Sequence, residues 1–171
     1  MRETDPLIER LNLADEAAFV AELGPLYEHS PWIAAAAFQG RPFADRDGLH
    51  GVMQRIVRDA PRDRQLALIR AHPDLAGRLA RAGTLASPSA SEQNTLGLDR
   101  LSDADHARFD RLNGAYRQRF GMPFIIAVRA QTLAGVIAAF ETRLGHELED
   151  EIDVALGEIG RIARFRLDDL P

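Results

Sequence analysis

The stretch Gly-Met-Pro-Phe-Ile-Ile-Ala-Val at residues 121–128 decides which class of fold the chain adopts. On composition alone, the apolar run from Phe124 to Val128 would pass for a buried β-strand. A strand needs a partner, however, and every other periodic segment of the chain has the apolar spacing of a helix. We therefore predict an all-α fold, a single-domain bundle of about eight helices over residues 1–171.

Within that bundle, we expect residues 124–128 to be a buried extended segment or the start of an irregular helix. A buried segment of this kind leaves backbone N–H and C=O groups that need hydrogen-bond partners. A bound ligand would supply some of them. The alternative is a core segment that only links two helices.

Helices are predicted on both sides of this segment. Ser102 caps a helix of roughly 103–120 that ends at Gly121, and Thr132 caps another that ends at Gly145. The last helix, about 146–168, has acidic first turns and a basic last turn, which match the helix dipole. These charges predict a solvated face, although one late arginine is a candidate for a substrate carboxylate. The acidic residues are Glu147, Glu149, Asp150 and Glu151, and the arginines are Arg161, Arg164 and Arg166.

The first part of the chain also has helical patterns. Residues 13–23 predict a helix with Asn12 as its N-cap and Leu13 on its apolar side, and Ser30 and Pro31 predict the start of another at roughly 31–38. A clear apolar stripe at i, i+3, i+4, i+7 and i+8 predicts a third helix. Its members are Leu49, Val52, Met53, Ile56 and Val57.

His72 is the first candidate for chemistry. Pro73 follows it directly and restricts it to an extended or turn conformation, so the helix that begins at Pro61 should stop at His72. A histidine at a helix end can point into a cavity and exchange a proton near neutral pH. The alternative is a helix-terminal histidine that caps carbonyl groups or packs in the core.

The second candidate is the segment Ser89-Ala90-Ser91-Glu92-Gln93, which follows a long loop of small residues. Ser89 and Glu92 have the spacing of a capping box. Glu92 therefore has a structural explanation as well as a possible chemical role, because its carboxylate can either cap a helix or contact a ligand.

The composition excludes several classes of function. Apolar residues make up 46% of the chain, charged residues 27%, and the net charge is −5 with scattered basic residues, so no nucleic-acid surface is indicated. The chain has no cysteine, which excludes a disulfide scaffold, a thiol nucleophile and a thiolate zinc site. The five histidines are too dispersed to predict a metal site, and no glycine-rich phosphate loop is present. Acid–base chemistry without a cofactor is the class that remains.

No apolar run has the length of a membrane span or the pattern of a signal peptide. We therefore expect a cytoplasmic protein that binds a small molecule and neither nucleic acid nor membrane.

Three motifs together resemble a known family. They are His-Pro-Asp-Leu-Ala-Gly at 72–77, Ser-x-x-Glu-Gln at 89–93, and Phe-Gly-x-Pro-Phe-Ile-Ile-Ala-Val-Arg at 120–129. In this order and at these separations they resemble the decarboxylases of 2-oxo-4-hydroxy-4-carboxy-5-ureidoimidazoline (OHCU), a late intermediate of urate breakdown. Small departures are Met122, where an aromatic residue is frequent, and Ala130, where glycine is frequent.

The resemblance implies an all-helical, generally dimeric enzyme with no metal or organic cofactor, which converts OHCU to (S)-allantoin. It implies that His72 and Glu92 are catalytic and that the substrate is bound by three stretches. These are Pro73; Ser89, Ala90, Ser91, Glu92 and Gln93; and Phe124, Ile125, Ile126, Ala127 and Val128.

Two other functions fit the same residues. One is a non-catalytic helical module that binds a purine-derived ligand. The other is a different cofactor-free enzyme, such as a ring hydrolase that acts on a related ureide.

Overall fold

The computed structural model describes residues 5–75 and 101–171, and every regular element within these ranges is helical. The all-α prediction is confirmed. The described ranges contain eight α-helices, in agreement with the expected number, and short 3₁₀ helices at Gly24–Leu26, Phe38–Gly40 and Val128–Ala130. The α-helices are α1 (Pro6–Leu13), α2 (Glu16–Leu23), α3 (Trp32–Ala37), α4 (Arg46–Asp59), α5 (Arg62–Ala71), α6 (Asp103–Phe120), α7 (Leu133–Arg143) and α8 (Leu148–Asp168).

The chain forms two compact units. One comprises Met1–Ala71 together with Gly160–Pro171, and the other comprises His72–Ile159. Helix α8 contributes residues to both. None of the helices in the described ranges is long and apolar enough to cross a membrane.

The beginning of the first unit differs from the sequence prediction. Residues 13–23 are not one helix: α1 ends at Leu13 and α2 begins at Glu16, because the Asp15 side chain accepts a hydrogen bond from Ala18 N and caps α2. Leu13 is 88% exposed and not on an apolar face. Asn12 is not an N-cap, since its side chain donates to Phe43 O and accepts from Phe43 N, both at 2.8 Å.

The predicted cap of α3 was also wrong. Helix α3 begins at Trp32, and Pro31 occupies the cap position with helical dihedral angles and no capping side chain. The Ser30 hydroxyl donates instead to Glu28 O at 2.8 Å. A serine two residues after a carbonyl can bond backward along the chain as easily as it caps forward.

Helices α4 and α5 agree with the prediction. Leu49, Met53 and Val57 of the apolar stripe are buried, and α5 ends at Ala71, directly before His72. The stripe therefore faces the core. The restriction that Pro73 places on the preceding residue predicted the end of α5 correctly.

In the second unit, the caps match the prediction. Ser102 accepts from Asp105 N at 3.1 Å, and Thr132 accepts from Gly135 N at 3.0 Å. Gly121 ends α6 with φ at 66°, in the left-handed region that glycine reaches without steric cost.

Two of the late arginines pair with carboxylates of the chain. Arg166 Nη2 lies 3.0 Å from Glu28 Oε1, and Arg164 pairs with Asp47 and with Asp168. A role for any of these arginines in binding a substrate carboxylate stays a prediction.

Candidate active site

His72 lies in the turn that follows α5 and is buried, with 2% of its surface exposed. Pro73 and Asp74 after it are half-buried. Arg117 Nε lies 2.9 and 2.8 Å from the two carboxylate oxygens of Asp74. Because Arg117 belongs to the last turns of α6, this ion pair attaches the His72 turn to that helix.

The same helix leads into the Phe124–Val128 segment. After the left-handed Gly121, the chain is buried from Met122 to Val128 and forms no regular element until the 3₁₀ helix Val128–Ala130. Ala127 is extended, with φ at −74° and ψ at 100°. The segment is therefore buried and without regular structure up to Ala127, which is extended as predicted, and a short 3₁₀ helix begins at Val128. The C-terminal end of α6 thus connects to both candidate stretches.

Side chains from two helices hold the backbone of this segment. Arg143 Nη1, at the end of α7, donates to Ile125 O at 2.6 Å, and Glu158 Oε2, on α8, accepts from Ala127 N at 2.7 Å. Charged groups make hydrogen bonds about twice as strong as neutral ones. The protein itself therefore supplies two of the partners that the buried backbone requires.

Arg143 is held in turn by Glu151, which is completely buried. Arg143 Nε and Nη2 lie 2.6 and 2.5 Å from Glu151 Oε1, and the Tyr116 hydroxyl donates to the same oxygen at 2.6 Å. His146 Nδ1 lies 3.0 Å from Oε2. The prediction of a solvated acidic face at the start of α8 was therefore wrong for Glu151. Glu151 alone among these acidic residues points inward, where it meets the buried Arg143 guanidinium.

Aromatic rings surround the same cluster. The Phe124 ring stacks on Phe140 with centroids 3.5 Å apart, and Tyr116 meets Phe124 edge-on at 5.2 Å. Arg143 Cζ lies 4.2 Å from the Phe124 centroid. These contacts fix the first residue of the extended segment, and they place the guanidinium group on an apolar surface where its ionic bonds are strengthened.

Burial and the hydrogen bond to the Glu151 carboxylate both raise the pKa of Tyr116 well above its ordinary value. The phenol therefore stays protonated over the whole physiological range. It acts as a permanent donor to Glu151.

The structure places His72, Pro73 and Phe124–Val128 in the same compact unit. Glu92 and the rest of Ser89–Gln93 lie outside the described residues, so their predicted roles stay predictions. Among residues 5–75 and 101–171, no three His, Asp or Glu side chains come together in a group that could hold a metal ion.

Sequence reasoning missed Arg143, Glu151 and Glu158. A signal for two of them was present. Arg143 lies three residues after Phe140 on the apolar stripe of α7, and Glu151 lies four residues before Ala155, which is fully buried. A cation and an anion on two apolar stripes that are close in sequence indicate a buried ion pair.

We expect Glu151→Ala to lower the free energy of unfolding by about 3–5 kcal/mol, because it leaves the Arg143 guanidinium buried without its counter-ion. Asp150→Ala, at the exposed neighbouring position, is the matched control and should change it by less than about 0.5 kcal/mol. Urea unfolding midpoints measure both. Equal midpoints for the two variants would contradict the assigned role of Glu151.

A second expectation concerns alkaline pH. The phenol of Tyr116 ionises near its ordinary pKa of about 10 in the unfolded chain and at a higher pH in the folded one. The unfolded state then loses its proton first, so the free energy of unfolding should fall as the pH rises above about 10. Tyr116→Phe should make this fall shallower, which chemical unfolding between pH 8 and pH 11 tests. The same slope in the variant and the wild type would show that Tyr116 is not the group responsible.

Comparison with known proteins agrees with this architecture. Residues 12–168 match the family model described as OHCU decarboxylase. The chain is 42% identical to 2-oxo-4-hydroxy-4-carboxy-5-ureidoimidazoline decarboxylase of Haloferax volcanii over 160 residues, covering 94% of this chain and 93% of the relative. It is 41% identical over 163 residues to the uric acid degradation bifunctional protein PucL of Bacillus subtilis, covering 95% of this chain and 32% of that protein.

A solved structure has the same fold. The crystal structure of (S)-allantoin synthase superposes with a TM-score of 0.76 at 34% sequence identity. The match covers 94% of this chain and 52% of the other, so this chain spans about half of that protein. With the family model matched over both compact units and a relative 42% identical over nearly the full length, the chain belongs to the OHCU decarboxylase family.

Proposed function

We propose that this protein is a carbon–carbon lyase that decarboxylates OHCU to (S)-allantoin in urate breakdown. The observation that carries the proposal is the family match over residues 12–168, which includes both His72 and the Phe124–Val128 segment. The names of the relatives, an OHCU decarboxylase and a uric acid degradation protein, point to the same reaction and pathway.

The reaction needs a charge sink and a proton. The bond between C4 and its carboxylate breaks, CO₂ leaves, and the electron pair forms a C4=C5 double bond while the C5=N electrons of the imidazoline ring move to the nitrogen, which takes up a proton. Donors aimed at the developing charge lower the barrier. A proton must then reach C5, the carbon that carries the ureido group, on one face only to give the S enantiomer, while the C4 hydroxyl loses its proton and becomes the carbonyl of allantoin.

We assign the proton transfer to His72. Histidine exchanges a proton near neutral pH, and general acids of this kind contribute about 10²–10⁴-fold to a rate. Its burial at a helix end supports the assignment, because the packing around a buried imidazole limits the directions from which it can deliver a proton. Pro73 fixes the turn, and Asp74 attaches it to α6 through Arg117.

We assign substrate binding to the backbone of Phe124–Val128. Peptide groups of alternate residues in an extended segment point to the same edge, so Ile125 and Ala127 use one edge for Arg143 and Glu158. In such a segment the N–H and C=O of Ile126, which lies between them, are expected at the other edge, and within the described part of the chain they make no hydrogen bond. One donor next to one acceptor complements the amide-like groups of a ureido substituent.

The remaining binding groups are assigned to Ser89–Gln93, with Glu92 and Gln93 on the ureido or ring N–H groups. This assignment rests on the family resemblance. Under it, Glu92 is both a helix cap and a catalytic group.

His72→Asn tests the assignment of the acid. Asparagine keeps a buried polar group but cannot act as a proton donor near neutral pH, so we expect turnover to fall by about 10²–10⁴-fold. The substrate is generated in situ from urate with urate oxidase and hydroxyisourate hydrolase, and (S)-allantoin is followed by circular dichroism. Release of CO₂ distinguishes decarboxylation from hydrolysis of a ureide ring.

His106→Ala is the matched control, because His106 is an exposed histidine on α6. It should retain the wild-type rate. A wild-type rate in His72→Asn would remove His72 from the mechanism, and a wild type that only matches spontaneous decay to racemic product would overturn the proposed function.

We propose further that the protein acts in the cytoplasm as a homodimer. The support is the family resemblance, since dimers are general in the family. Sedimentation equilibrium should give about twice the chain mass of 18.9 kDa. A mass that stays at one chain at micromolar concentration would contradict the dimer.

A further inference from the structure

We propose that Glu158, together with Arg143, is a positioning residue for catalysis: the two side chains fix the backbone on either side of Ile126 before the substrate arrives. This inference rests on the proposed function, because it takes the peptide groups of Ile126 as the substrate contact. It adds two residues, from α7 and α8, that lie outside the sequence motifs of the family resemblance.

The first contact is made by Glu158. Its carboxylate oxygen lies 2.7 Å from Ala127 N, a short and charge-assisted hydrogen bond. Helix α8 continues for a further ten residues after Glu158, up to Asp168, so Glu158 lies well inside a long helix and not at its end. The Glu158 side chain is only half-buried, so we do not expect its removal to disturb the packing of the core strongly.

The second contact is made by Arg143. Arg143 is 5% exposed, and its guanidinium uses different nitrogen atoms for different partners: Nη1 donates to Ile125 O, while Nε and Nη2 lie against Glu151. Because Glu151 is itself held by Tyr116 and His146, several bonds act together to hold the guanidinium in this orientation. The fixed geometry of the buried cluster is therefore transmitted to the Ile125 carbonyl.

These two contacts determine the peptide groups between them. The carbonyl of Ile125 and the amide of Ala127 belong to the two peptide units that also carry the N–H and the C=O of Ile126. A peptide unit is planar, so orienting one of its ends orients the other. The donor and the acceptor offered at Ile126 are thus set in advance by Arg143 and Glu158.

Loss of such preorganisation should lower the rate of the reaction and not only the stability of the protein. A donor that is already aligned costs no reorganisation in the transition state, and a misplacement of about 1 Å at a remote supporting group can cost about 10²-fold in rate. Loss of the Glu158 contact should therefore reduce kcat/KM while the chain remains folded.

The test compares Glu158→Ala with Glu158→Gln. Alanine removes the acceptor for Ala127 N, and we expect kcat/KM for (S)-allantoin formation to fall by about 10- to 100-fold. Glutamine keeps an oxygen at the same reach and should restore most of the loss. Asp153→Ala, an exposed acidic position on the same helix, is the matched control and should behave as wild type.

Thermal unfolding is measured on every variant, so that a kinetic loss in a folded protein is separated from simple destabilisation. If Glu158→Ala does not fold, Glu158→Asp takes its place, because it keeps the charge and withdraws the carboxylate by one methylene. It should also lower kcat/KM.

For the other contact, Arg143→Lys keeps the charge, but one ammonium group cannot bind both Glu151 and Ile125 O, so kcat/KM should fall as well.

Wild-type kcat/KM in a folded Glu158→Ala, or in Glu158→Asp where alanine does not fold, would overturn the positioning role. Equal losses in the alanine and glutamine variants would also overturn it, because the charge and not the backbone bond would then matter. These outcomes differ from failure of the proposed function, in which the wild-type protein itself produces no excess of (S)-allantoin.

Discussion

The buried ion pair between Arg143 and Glu151 is the interaction on which the second unit depends. Two charges removed from water are costly, and their attraction compensates only when the remaining donors and acceptors are also satisfied. Here the carboxylate also binds Tyr116 and lies beside His146, while the guanidinium binds Ile125 O. Much of the attraction in such a pair offsets the cost of burying both charges, so its net contribution to stability is small. Its bonds also join α6, α7, α8 and the extended segment.

The geometry set by this pair explains why the chain can contain an extended segment at all. Within the described residues, no strand lies beside Phe124–Val128 to supply its hydrogen bonds. Side chains of two helices do so instead, and the aromatic rings of Tyr116 and Phe140 enclose its first residue. An all-helical protein thereby obtains a stretch of backbone whose polar groups are not all used by secondary structure.

Sequence patterns predicted the fold class, the stop of α5 at His72 and the caps at Ser102 and Thr132, because these depend on local chemistry: proline sterics, hydroxyl caps and apolar periodicity. They failed at Asn12, whose side chain bonds to the distant Phe43, and at Ser30, whose hydroxyl bonds back to Glu28 O instead of forward into the helix. They failed again at Glu151, whose charge resembles its solvated neighbours until the position of Arg143 is known. A short stretch of sequence does not contain the information for interactions between residues distant in sequence, or between opposite charges on separate helices.

The contacts from Arg143 and Glu158 to the extended segment are made to main-chain atoms. The packing of its side chains and the placement of its hydrogen-bonding groups therefore depend on different parts of the molecule. The aliphatic side chains at 125 and 127 fill the interior, whereas the positions of their peptide groups are set from elsewhere. Exchange of one aliphatic residue for another at these positions alters the volume of the interior and leaves the identity of every hydrogen-bonding atom unchanged. Aliphatic substitutions in the segment can therefore accumulate while its pattern of hydrogen-bond donors and acceptors stays the same.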